Sequence, residues 1–149
     1  MEENSPVQSD PGKQSLLLWI LWIALMIAIA IYAGIGSYAG QKMTLSQSED
    51  ILPMMTTIFL VFAGFETIFV LVFAGKVFAK STNYMTYCIF RWAIAESIGI
   101  FGLVLMFMGP TTSTGFIFIV WSLALLLVLM PNQGNRDRFE KASNKGIHP

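Results

Sequence analysis

Charge is scarce in this chain. Only 12% of its 149 residues are charged, about half the share usual in soluble domains. Nine basic residues balance nine acidic ones, so there is no basic field and nucleic acid is not an expected partner. The single cysteine, Cys88, excludes an internal disulfide and any cysteine-built zinc or iron–sulfur cluster. The single histidine, His148, stands one residue from the end and reads as a solvated side chain. No pair of histidines is present to hold haem and no His/Cys cluster to hold a metal, so no cofactor is expected. A glycine-rich phosphate loop is also missing: Gly64, Gly75 and Gly99 lie in apolar runs. Ser97 has no histidine or lysine within helical reach, so no nucleophile–base pair exists. An enzyme is not expected.

What the chain has instead is apolar length. Hydrophobic residues make up 55% of it, which excludes general disorder. About 18 uncharged apolar residues cross a hydrocarbon core of ~30 Å. Four such runs are present, at 16–39, 51–75, 84–108 and 112–130. Ser48, Glu49 and Asp50 precede the second as cap and first-turn residues, with Pro53 where a missing N–H costs little. Gly109-Pro110 stops the third, and Pro131 with Gly134 stops the fourth. The first run is too long for a signal-peptide core and lacks a basic flank in Met1–Asp10, so it reads as a retained span. The predicted fold is an all-α, integral membrane four-helix bundle spanning 15–131. Residues 1–14 read as a disordered tail, and 132–149 as a polar tail with room for a short helix at Arg136–Ala142.

Four spans put both tails and the middle loop on one side. That side holds Lys13, Lys76, Lys80, Arg136, Arg138, Lys141 and Lys145, and the other side holds Lys42. Seven against one predicts cytoplasmic N and C termini by the positive-inside rule. The expected location is a bacterial inner (plasma) membrane, with the lipid bilayer as the first partner. Trp19, Trp22, Tyr32, Tyr38, Tyr84, Tyr87 and Trp92 lie towards span ends, where amphipathic rings favour the interface; Trp121 does not fit that pattern.

Three ionisable residues fall inside the runs: Glu66, Arg91 and Glu96. Each costs roughly 2.5–3.5 kcal/mol at mid-membrane unless paired, neutralised or hydrated. Glu66 lies 15 residues before Ser81, near the turn between the second and third runs, and Glu96 lies 15 after it. At ~1.5 Å per residue the two carboxyls share a level about 22 Å from the turn. If the helices face each other there, the two acids titrate as one unit, a chemistry suited to a proton relay. Arg91 is about 7.5 Å nearer the turn. Its side chain has the length to reach Glu66 or to snorkel, so structural pairing and ion handling both remain open. Ala95, Gly99 and Gly102 form a small-residue track beside Glu96 that lets another backbone approach, and a homo-oligomer or a membrane-complex partner fits such a track.

The segment Ala93-Ile94-Ala95-Glu96-Ser97-Ile98-Gly99-Ile100-Phe101-Gly102-Leu103-Val104 resembles the carboxylate-bearing helix of the rotor-ring proteolipid, subunit c of rotary ATP synthases. In that family a small residue precedes the essential carboxylate, a hydroxyl residue often follows it, and a Gly-Ile-Tyr-like stretch comes next. The resemblance implies that Glu96 is an ion carrier and Ser97 its hydroxyl neighbour. The chain departs from the family in several ways, a missing Arg-Gln-Pro-like loop among them. The run 51–75 has only Gly64 and Gly75 where the family's inner helix has a dense glycine repeat. Phe101 stands where sodium-type members carry a tyrosine, which implies a proton as the carried ion. Two further spans flank the hairpin. The expectation is a proteolipid-like four-span protein in which Glu96, Glu66, Arg91 and Ser97 handle protons. The alternative is a structural or accessory membrane protein whose buried charges only register the helices.

Overall fold

A computed structural model describes residues 11–40, 51–78, 83–108 and 112–144. The expected cap at Ser48–Asp50, the turn near Ser81, the stop at Gly109-Pro110 and His148 lie outside these residues. All the regular elements among them are helical: α1 (Pro11–Gly40), α2 (Leu52–Ile68), a π-helical turn (Phe69–Phe73), α3 (Ala74–Phe78), α4 (Tyr84–Met108), α5 (Ser113–Val128) and α6 (Gln133–Asn144). Three helices are long and apolar enough to cross a membrane: 12–39 in α1, 52–73 through the π turn, and all of α4. α5 is charge-free over 16 residues, or about 24 Å, and joins them as the fourth member of the bundle. The chain is an all-α membrane-type bundle.

The helix ends follow local chemistry. Asn83 caps α4 by accepting the N–H of Thr86 on its Oδ1 at 2.8 Å. α2 starts after Ile51 without a side-chain cap, and Pro53 occupies its first turn. Thr67 donates to the Ala63 carbonyl at 2.7 Å. Such back-bonding competes with the helical ladder, and the π turn begins two residues later. Pro131 has no N–H to continue α5. Beyond it, α6 turns by 75° across the end of the bundle, with Asn132 capping the N–H of Asn135 at 2.8 Å. The helical stretch is longer than the sequence pattern implied at Arg136–Ala142, and α1 begins at Pro11, within the segment read as a tail.

α4 is the centre. It packs most extensively on α5, then on α1, and α2 touches chiefly α4. The small-residue track is the reason for the first contact. A Cβ built on Gly102 would stand 2.6 Å from the Gly115 carbonyl oxygen, so the α4 and α5 backbones meet there. Gly99 faces Ser122, which is fully buried and donates to the Ala95 carbonyl at 2.6 Å. The backbone that approaches Ala95, Gly99 and Gly102 is therefore that of α5 in the same chain.

Two indoles expected at the interface have another role. Met130 N–H bonds Leu127, which leaves the Leu126 carbonyl without its helical donor. Trp22 supplies one at 2.9 Å, and Trp92 donates to Leu129 at 2.9 Å. Trp92 is 1% exposed: a buried indole N–H needs an acceptor, and the frayed end of α5 offers one.

Candidate functional site

Glu96 is the central residue of α4, and Glu66 lies midway along the stretch from α2 to α3. Consecutive residues on a helix point about 100° apart. Glu96 and Ser97 therefore address different neighbours. Glu96 turns to α1, where the Tyr32 hydroxyl donates to its Oε1 at 2.8 Å. Ser97 turns to α2, where its hydroxyl lies 2.9 Å from Glu66 Oε2. The result is two carboxyl–hydroxyl pairs, one on each side of α4. All four side chains are half-buried.

Between the pairs runs an exposed strip of α4 containing Ile89, Ala93 and Ile100. α1 and α2 touch each other little among the described residues, so the pairs flank an open groove floored by this strip. Phe59 of α2 stacks on Phe101 of α4, with centroids 4.8 Å apart, and holds α2 next to the Glu66 pair.

The Ser97 Oγ is 2.6 Å from the Ile94 carbonyl and 2.9 Å from Glu66 Oε2. A hydroxyl has one proton to donate, and Ser97 shares it between these two acceptors.

Arg91 is placed elsewhere. Its guanidinium carbon lies 5.0 Å from the centre of the Tyr87 ring, in cation–π range. Arg136 and Glu140 form an ion pair on α6, at 3.0 Å. No group of three or more His, Cys, Asp or Glu among the described residues forms a metal site. Tyr32 carries no site signal in the sequence, where its place towards the end of its run makes it an interfacial ring. Its hydroxyl instead meets Glu96, and only the helix rotation reveals that.

A comparison of the chain with family models, curated proteins and solved structures found no match.

Proposed function

We propose that this is a small polytopic protein of a bacterial inner membrane that binds and releases protons at intramembrane carboxyls. Glu96 is the carrier, as its proteolipid-like segment implies, and Glu66 is a second station. Tyr32 and Ser97 are their hydroxyl partners, and Arg91 sets a positive charge on the same helix nearer the tails. The observation that carries this reading is the placing of two half-buried carboxyls on one level of the bundle, each accepting from a hydroxyl: Glu96 from Tyr32 and Glu66 from Ser97. A hydroxyl partner on each carboxyl suits a group that gains and loses a proton.

A second reading rests on the same hydrogen bonds. They tie α1 and α2 to α4, and α1 and α2 have little other contact with each other. In that reading the carboxyls register helices and carry nothing.

Carbodiimide labelling of the full chain in liposomes separates the two. Proton handling expects labelling at Glu96 that falls as pH rises and vanishes in Glu96→Gln, with the fold retained. It also expects an infrared carboxylic-acid band that titrates and is lost in Glu66→Gln. A register role expects no titration, with both variants changing only stability.

A further inference from the structure

Glu66 sits among phenyl rings. Phe62 lies four residues before it and Phe69 three after, spacings that share one helix face. Phe69 meets Phe90 of α4 edge-on, with ring centroids 6.4 Å apart. Further from the tails, Phe59 is stacked on Phe101. On α4, Ser97 is four residues from Ala93 and three from Ile100, so it borders the exposed strip. Glu66 meets Ser97, and the face of α2 that carries Glu66 therefore adjoins that strip. The rings there are open to the surroundings: Phe62 is 55% exposed and Phe90 38%.

The result is an apolar, ring-lined surface with one carboxyl at its edge, well inside the span 52–73. An ionised carboxyl at that depth is costly and attracts a positive partner. A metal ion needs a shell of oxygens, and no group of three or more His, Cys, Asp or Glu among the described residues provides one. An organic cation of spread charge fits the surface better. Its charge meets the carboxylate, its apolar body covers the strip, and the ring faces attract it by cation–π contact. The strip opens sideways, since α1 and α2 touch each other little among the described residues.

We propose that Glu66 is the counter-charge of a binding site for a hydrophobic organic cation, an aromatic phosphonium or quaternary ammonium that enters from the lipid and rests against Phe62 and Phe69. The inference rests on the reading of Glu66 as a proton station. The cation binds the ionised carboxylate, so each cation taken up releases the one proton that Glu66 held. Of the titratable and charged groups on the packed helices, Tyr32 and Glu96 pair with each other on the α1 side of the strip. Arg91 is stacked on Tyr87 nearer the tails, and α5 has no charged residue. Glu96 stays with Tyr32 and is not a ligand of the cation.

The test is equilibrium dialysis of tetraphenylphosphonium against the full chain in phosphatidylcholine nanodiscs, with empty nanodiscs as background. Binding should saturate and should tighten about tenfold per pH unit while Glu66 is protonated, the mark of one-for-one exchange. Glu66→Gln, which keeps an acceptor for Ser97, should abolish the saturable part, and Glu66→Asp should retain it. Phe62→Leu should weaken binding about two- to fivefold, the value of one exposed cation–π contact. Phe116→Leu, an exposed ring on α5, should leave it unchanged. Tetraphenylborate, an anion of the same shape, should show no binding above background. Equal binding of the two ions, equal binding in Glu66→Gln, or an affinity flat in pH would overturn the proposal. If only this site fails, the carboxylic-acid band of Glu66 still titrates; if the proton reading fails, that titration is missing as well.

Discussion

The Tyr32 hydroxyl donates to Glu96 Oε1 at 2.8 Å and joins two helices across 64 residues of sequence. Hydrogen bonds between membrane helices average about 0.6 kcal/mol, rising towards 1.7. Tyr32→Phe should therefore lower stability by about 1 kcal/mol in a denaturation series. A double-mutant cycle with Glu96→Gln should return a coupling of the same size. A coupling near zero would mean that Tyr32 fills space and does not hold the carboxyl.

Ser97→Ala removes the hydroxyl that meets Glu66. α2 has few other ties, with its stacked Phe59 among them. Most of its large side chains, including Leu60, Val61, Phe62 and Phe65, are exposed to the surroundings. The variant should raise amide exchange along α2 several-fold while α4 and α5 stay protected. Uniform exchange changes across all four helices would count against a local tether.

The contrast between these two bonds shows what could be read beforehand. Span positions were legible because an uncharged run of this length has few other uses in a chain so poor in charge. The equal depth of Glu66 and Glu96 followed from rise per residue alone. Rotation did not follow. Lipid is as apolar as the bundle interior, so a span has no polar face to mark which side is buried. Tyr32 and Ser97 therefore gave no signal of their partners. Trp92 gave no signal of its acceptor either, which exists because Pro131 ends the α5 ladder. Gly102 was legible as a packing residue, but the helix it packs against was not.

Gly102 now makes a sharp prediction. A methyl group there would meet the Gly115 carbonyl oxygen at 2.6 Å and the Phe118 Cβ at 3.0 Å. Backbone is the obstacle, so no side-chain rotation relieves it. Gly102→Ala should cost about 1–3 kcal/mol, as overpacking does, by pushing α5 off α4. Gly34→Ala, where nothing lies within 4 Å, should be neutral or slightly stabilising. Comparing the two melting points checks whether the small residues of α1 and α4 play different parts.

Trp92→Phe keeps most of the ring volume and deletes the N–H that reaches Leu129. The site is buried, so the stranded carbonyl should cost about 1–3 kcal/mol. Trp22→Phe strands the carbonyl of Leu126, which is buried as well, and should cost a similar amount. The readout that separates lost packing from a lost cap is position-specific: exchange at Leu129 and Met130 should rise in Trp92→Phe while the middle of α5 stays slow. If the two variants are equally mild and the end of α5 is unaffected, the indoles are packing groups and the carbonyls find other donors.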